Sequence, residues 1–415
     1  MALVRDLSRA AWERLEQTIP RLLWPVNQLL ALLLRRRVTA GSVLHVCYPV
    51  HLIHYMVDIL RANGCTADYV AVGTSQGWNE CDYHFQRWRK WMPLALTEFW
   101  FFWRVMSRYE VIHMHFMQGI SRTGWEWPVL KRLGRKIVVY YSGCEARDST
   151  TNQLLHPDMN ICQDCDYQRQ LCDGDWSRRH RALTKRFADL ELVTTPDLLD
   201  FCPGAIHFPF FCPPDAIVPT RQRQGWPENG CMRIVHITNH PGIEGTAAIR
   251  AAVERLKSKG WPVEFRHLSN TAYRQVLQEL ADADLSVGKM KMGYYANAQV
   301  ESMRCGTPAV THVRPEFMTD DLRASALLLT DLGGMEAVLE RMLDNPALLA
   351  EYRHSAASSI QALHDNQMLA KRLIAMYRAL VAGRDQQWIA ENIPGGLCPG
   401  NRSTDTAAPT GDKAQ

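Results

Sequence analysis

Four cysteines fall within one short region of the sequence: Cys162-Gln163-Asp164-Cys165 is a C-x-x-C pair, Cys172 follows it, and Cys144 precedes it in Ser142-Gly143-Cys144-Glu145. Four thiolates can supply the tetrahedral set of a structural zinc, and the first pair has the spacing of a zinc knuckle. The second close pair that makes such a set secure is missing. Separate buried thiols, a redox pair and an iron–sulfur cluster therefore stand beside the zinc reading. A second candidate is His113-Met114-His115, where both imidazoles leave the same face of an expected strand and offer two ligands or a general base. Two histidines do not make a metal site; without a third ligand they read as one packed histidine and one at the strand rim. Trp88, Trp91, Trp100, Trp103, Trp125 and Trp127 cluster in the first half of the chain, where aromatic faces can stack on sugar rings or fill a core.

These residues need elements to hold them. The composition, 47% hydrophobic and 22% charged over 415 residues, is that of a folded protein of about two to three domains. Apolar runs at 43–48, 68–73, 111–116, 136–141 and 190–194 read as strands, with helical periods between them at 50–62, 88–109, 125–133 and 177–188, the alternation of a parallel sheet with crossover helices. The cysteine-bearing stretch breaks this rhythm and reads as an insertion, and 203–229, rich in Pro, Gly and Arg, as a linker. A second alternating block follows, with strands at 233–238, 283–287 and 309–313, helices after Gly245, around Tyr273 to Leu280 and at 296–305, and mostly helix over 334–381. The expected division is 1–40 as a basic amphipathic segment, 41–225 as the first domain with the insertion at 144–175, and 226–364 as the second domain. Residues 365–390 form a helix returning to the first domain, and 395–415 a small, polar, disordered tail.

Charge narrows the partners. A net charge of +4 is too small for the broad basic face of a nucleic-acid binder, and all of it lies in residues 1–40, where seven arginines meet three acidic residues. The apolar run there, 22–34, is broken by Pro25, Asn27 and Gln28 and is too short to span a bilayer; it also lacks the features of a secretory signal. It has the make-up of an interfacial helix that can lie on an anionic membrane, or of a helix docked on the protein's own body. Twelve cysteines at irregular spacing, with no export signal, point to a reducing, cytoplasmic setting.

Common catalytic signatures are missing. Neither block carries G-x-G-x-x-G after its first strand, there is no Walker A lysine loop, and there is no G-x-S-x-G elbow. What remains is His236-Ile237-Thr238-Asn239-His240-Pro241-Gly242-Ile243-Glu244-Gly245-Thr246, then Ala283-Asp284-Leu285-Ser286-Val287-Gly288, and finally Ala296-Asn297-Ala298-Gln299-Val300-Glu301-Ser302-Met303-Arg304-Cys305-Gly306-Thr307-Pro308. In order and spacing these segments resemble the retaining nucleotide-sugar glycosyltransferases of the GT-B fold, whose signature helix bears Glu-Ala-Met-x-x-Gly-x-Pro. The resemblance covers about residues 40–380 and is clearer in the second half.

The resemblance implies an α/β protein of two Rossmann-like domains facing across a cleft, here with a Cys-rich insertion and an N-terminal amphipathic helix. It implies sugar transfer from a nucleotide diphosphate to a glycan or lipid-linked acceptor, in cell-envelope or extracellular polysaccharide synthesis. Glu301 is expected to hold the ribose, and Lys289 and Lys291 the diphosphate, aided by Thr238, the Gly245-Thr246 helix start and the amides near Asn297. His115, Arg147 and Asp148 are expected to face the donor sugar and acceptor from the other domain. No metal is required for catalysis when such cations take its role. Three positions depart from the pattern: Glu244 where a lysine is common, Gly293 where a second acid is common, and Ser142 where a histidine is common. They keep a non-catalytic glycan- or nucleotide-binding relative in view as the alternative; an epimerase of similar architecture fits the helix motif less well.

Overall fold

The structure is a computed structural model that describes residues 18–73, 80–86, 93–213 and 225–395. Two parallel sheets organise it. The first contains β1 (Thr39–Cys47), β2 (Thr66–Ala71), β3 (Tyr83–His84), β4 (Tyr109–His115), β5 (Lys136–Tyr141), β6 (Leu190–Val193) and β7 (Ile206–His207), in the order β3-β2-β1-β4-β5-β6-β7. The second contains β8 (Met232–Ile237), β9 (Val263–Leu268), β10 (Leu285–Val287), β11 (Ala309–Thr311) and β12 (Leu327–Leu329), in the order β12-β11-β10-β8-β9. Each sheet reverses its order once, between β1 and β4 in the first and between β8 and β10 in the second. Such switch points open a crevice beyond the carboxyl ends of the strands, where doubly wound sheets take their ligands.

The first sheet is covered on both faces, which is why its central strands are nearly continuous apolar runs. One face packs Phe101, Phe102, Trp127 and Leu130; the other packs Ile53, Met56 and Leu60 of the helix His51–Ala62. That second face also receives Leu369, Leu373 and Leu380 of the helix Asn366–Val381, so this late segment is part of the first core. Trp103, Trp125 and Trp127 are buried in the first core, while Trp88 and Trp91 lie outside the described residues. The stretch 203–229 is not wholly a linker. Its start supplies β7, and Phe208 and Phe211 are fully buried, because three phenylalanines with Ile206 carry enough apolar surface to join the sheet despite the prolines around them. Residues 214–224, the tail from 396 and residues 1–17 lie outside the described residues.

The helix Trp24–Leu34 docks by a face that includes Asn27 and Ala31, with Leu30 and Leu34 packed beside it against the first core, and leaves its other leucines outward. Asn27 and Ala31 are its buried residues, and Asn27 Oδ1 accepts from Trp103 Nε1 at 2.8 Å. Leu29, Leu32 and Leu33 are 57%, 62% and 69% exposed. No helix among the described residues is long and apolar enough to cross a membrane.

Candidate active site

Loops that leave the carboxyl ends of strands in both sheets meet between the domains. From the first domain come the loop after β5, with Arg147 and the insertion, and the turn after β6, with Asp197 and Asp200; from the second come Lys291 and Gly293 after β10, and Arg314 after β11. Together they line a cavity of about 250 Å³. Its wall is polar and tightly paired. Arg147 forms a buried ion pair with Asp197, which holds the guanidinium charged against the opposing effect of burial. Arg314 Nη1 donates to Asp200 Oδ2 at 2.7 Å and lies 2.6 Å from His156 Nε2. Two buried atoms here, Asp197 Oδ1 and Arg314 Nη2, have no hydrogen-bond partner among the described residues. Unpartnered buried polar atoms are costly and rare, and a concave site is where a ligand resolves them.

The second domain's phosphate-type loop is built from its own side chains. His236 Nδ1 donates to the Val287 carbonyl at 2.7 Å, which leaves Nε2 to accept from the Thr246 hydroxyl at 2.7 Å and ties β8, β10 and the helix Thr246–Ser258 together. Thr238 Oγ1 accepts from the His240 amide at 2.8 Å. Gly245 adopts φ +81°, a left-handed conformation that favours glycine and lets the chain turn into that helix. Glu244, the acid in place of a cation, does not face outward unpaired: it accepts from the Lys289 backbone amide at 2.9 Å and pairs with the Lys289 ammonium. The negative charge that Glu244 brings where a lysine is common is thus neutralised, and Lys289 is engaged in neutralising it.

Glu301 lies in the helix Asn297–Arg304 and is buried. Its Oε1 accepts from Asn297 Nδ2 at 2.6 Å and lies 3.3 Å from His51 Nε2, which belongs to the first domain. The His51 ring in turn stacks on Tyr273 of the second domain at 3.6 Å. The structure therefore brings Thr238, Gly245, Thr246 and Lys289 together in one loop system and sets Glu301 and Asn297 as a bonded pair at the domain boundary.

The insertion fills the rest of the cleft. Asp166 accepts from the amides of Gly242 and Ile243 at 3.2 and 3.0 Å, Asp164 Oδ2 receives Lys291 Nζ at 2.7 Å, and Tyr167 Oη lies 2.5 Å from His240 Nε2. The Asp164 carbonyl sits so close to Gly242 that a Cβ there would collide with it. One carboxylate thus occupies the Lys291 ammonium expected to take a diphosphate, and a second occupies the Gly242 and Ile243 amides just before the expected Gly245-Thr246 helix start.

The first-domain candidates divide. Arg147 lines the cavity, but Asp148 caps the helix Ser149–Leu155 by accepting from the Thr151 amide at 2.7 Å, and that bond holds its carboxyl below the usual range. His115 is not a rim residue: it is fully buried, with Nε2 3.0 Å from His45 Nδ1. A strand-end position was its only signal, and the covering helix Asn366–Val381 is too distant in sequence for that signal to register. Glu145 takes the amides of Ser142 and Gly143 at 2.6 and 3.1 Å, and burial raises its pKa. The four thiols Cys144, Cys162, Cys165 and Cys172 are free, and burial, then the Asp173 carboxylate and the other three thiols, pushes Cys172 up to about 12. They do not form a ligand group as they stand. Asn152 Nδ2 donates to Cys162 Sγ at 3.4 Å, Arg147 Nη1 to Cys144 Sγ at 3.9 Å and Cys172 Sγ to the Arg169 carbonyl at 3.4 Å, so three of them have other partners.

Sequence reasoning missed His51, His156, Asp197, Asp200 and Arg314. Arg314 and Asp197 had a usable signal, since each follows the end of a readable strand within a few residues.

Fold and cleft define the class: an α/β protein of two Rossmann-like domains with the GT-B architecture, its polar cavity between them. No family model matches the chain, and no curated protein does. Among solved structures it is similar to a sucrose-phosphate synthase from Thermosynechococcus elongatus, with TM-score 0.55 and 13% identity over 83% of this chain and 100% of that one. It is equally similar to the catalytic domain of starch synthase IV from Arabidopsis thaliana, bound to ADP and acarbose, with TM-score 0.55 and 12% identity over 83% and 100%. At such identity the likeness concerns the fold.

Proposed function

We propose that the chain is a glycosyltransferase that moves a sugar from a nucleotide diphosphate to a hydroxyl of a glycan or lipid-linked acceptor, in cell-envelope or extracellular polysaccharide assembly. The observation that carries this reading is the interdomain cavity, with its unpartnered Asp197 Oδ1 and Arg314 Nη2, beside the buried carboxylate of Glu301. In the reaction the acceptor oxygen bonds to the anomeric carbon as the bond from that carbon to the diphosphate breaks, and the hydroxyl proton departs to the leaving group or to a base. Negative charge grows on the diphosphate, and cations fixed in a dry cleft stabilise it. Lys291, Arg314 and Arg147 line the cavity, with Arg147 committed to its buried pair with Asp197, so Lys291 and Arg314 are the cations we assign to this step in place of a metal. Both are paired with aspartates across the domain boundary, Lys291 with Asp164 and Arg314 with Asp200. Donor entry on this reading requires the domains to part and the insertion to leave the 242–243 amides, after which closure excludes water.

Isothermal calorimetry of the full chain against UDP-, GDP-, ADP- and dTDP-sugars tests the proposal. Binding of at least one, followed by turnover with an acceptor, is expected. Binding by none favours the non-catalytic relative, for which the filled amides at 242–243 are the supporting observation.

The acceptor reading extends to the membrane. The helix Trp24–Leu34 turns three leucines outward, Trp100 and Leu96 are exposed, and Arg35, Arg36 and Arg37 follow the helix directly. Apolar area beside clustered arginines suits an anionic lipid surface, here the inner face of the cytoplasmic membrane. The protein is expected to float with phosphatidylglycerol-containing vesicles and to remain in the soluble fraction with neutral ones. Leu29→Ser/Leu32→Ser/Leu33→Ser is expected to abolish flotation; equal flotation of that variant would remove the membrane contact.

A further inference from the structure

The pair His113 and His115 lacks a third ligand in the sequence, and the fold supplies one. β1 and β4 are neighbours at the switch point of the first sheet, and their parallel register sets His45 directly opposite His113. His113 and His115 leave the same face, which is covered by the helix Asn366–Val381. All three imidazoles are completely buried. One nitrogen from each ring lies within 4.8 Å of the other two.

Their hydrogen bonding is incomplete. His45 Nδ1 and His115 Nε2 share one bond at 3.0 Å, and His113 Nδ1 lies 2.5 Å from the Tyr377 hydroxyl. His45 Nε2, His113 Nε2 and His115 Nδ1 have no partner. A lone buried histidine normally finds partners for its ring; three adjacent ones with a vacant nitrogen apiece are costly unless something else binds them. Burial depresses His45 to about 3 and the other two well below the usual value, so the rings are neutral, the form that ligates metal.

We propose that His45, His113 and His115 form a site for a divalent first-row transition ion, zinc foremost, separate from the cleft and from the insertion thiols. Imidazole suits these ions, and zinc takes three histidines when a small fourth ligand such as a bound water completes its tetrahedron. With its Nδ1–H donated to Tyr377, His113 presents the Nε2 lone pair, the second-sphere arrangement that fixes a ligating tautomer. His113 and His115 stand stacked at 4.4 Å, so their lone pairs run side by side. The χ2 torsion of histidine is soft, and rotation about it is the movement that brings them together. The ion replaces the His45–His115 hydrogen bond. Because the site is closed to solvent, its role is structural: it joins β1, β4 and, through Tyr377, the helix Asn366–Val381.

Untagged full-length protein produced in zinc-supplemented medium is expected to carry at least one metal ion per chain by elemental mass spectrometry. Cys162→Ser/Cys165→Ser should retain that ion, and His113→Gln/His115→Gln should lose it and melt at lower temperature. Cobalt(II) in the cysteine variant should give visible ligand-field bands without the intense near-ultraviolet absorption of thiolate ligation. Wild-type protein without stoichiometric metal, or metal lost in the cysteine variant, overturns the proposal. Both readouts use proteins with the histidines intact, so a histidine variant that does not fold leaves the test decisive.

Discussion

Glu301→Ala is expected to weaken binding of the nucleotide donor on the order of 100-fold and to abolish measurable transfer. A carboxylate that accepts two ribose hydroxyls makes charge-assisted hydrogen bonds, each worth about 1.5–3 kcal/mol, so losing the pair removes roughly 3 kcal/mol or more. The residue also holds Asn297 and meets His51 across the domain boundary, so the alanine variant loosens that contact as well. Glu301→Gln keeps the volume and one acceptor oxygen and separates the two effects: it should fold as the wild type yet bind the donor clearly more weakly. Calorimetry with the donor found in the panel, alongside thermal melting, makes the comparison. A folded Glu301→Ala protein with full affinity and full transferase activity would sink the assignment.

Asp164→Asn/Asp166→Asn is expected to act in the opposite direction, tightening apparent affinity for a nucleoside diphosphate by about tenfold. In the structure these carboxylates hold the ammonium of Lys291 and the amides of Gly242 and Ile243, so any diphosphate there must first displace them. A competitor built into the chain lowers the fraction of molecules able to bind, and apparent affinity falls by that fraction. The effect is modest because Asp164 is 65% exposed and solvent screens its ion pair. Asparagine keeps the shape and can still accept from the amides, so the change isolates charge. Titration with UDP, GDP, ADP and dTDP reads the effect. Unchanged affinity in the double variant would show that the diphosphate binds elsewhere, and weaker affinity that the aspartates assist it.

The candidate site was legible in proportion to how local its logic is. Thr238, Gly245 and Thr246 lie on one contiguous turn after a readable strand, and the turn's conformation follows from Gly245 and from His236 nearby. Lys289 and Glu244 show the limit: each could be named from sequence, but that one neutralises the other depends on packing between two loops 45 residues apart. Asp148 was misjudged because a carboxylate just before a helix serves equally as a ligand group or as a cap, and here the Thr151 amide claims it. His115 was misjudged because its surroundings come from β1 and from a helix more than 250 residues away.

The fold divides along a physical line. The strands readable from sequence, β1, β2, β4, β5, β6, β8, β10 and β11, are the interior strands of both sheets; the four that were not read, β3, β7, β9 and β12, are the four edges. An interior parallel strand is buried on both faces and must be a continuous apolar run, so it announces itself. Among the edges, β3 and β7 are only two residues long and β9 is half-exposed throughout and mixed in character, with Glu264, Arg266 and His267, whereas β12 is an apolar run, Leu327–Leu329, that differs from the interior strands in its neighbours rather than its residues. By itself, then, the sequence determined the alternating α/β class, two domains and the positions of the central strands, because periodicity and burial are properties of contiguous residues. Only the tertiary structure decided where each sheet ends, which charges meet across the cleft, that the insertion's aspartates occupy the phosphate-type loop, and that three histidines from two strands share one core. Those outcomes depend on distances between residues far apart in the chain, which no local pattern encodes.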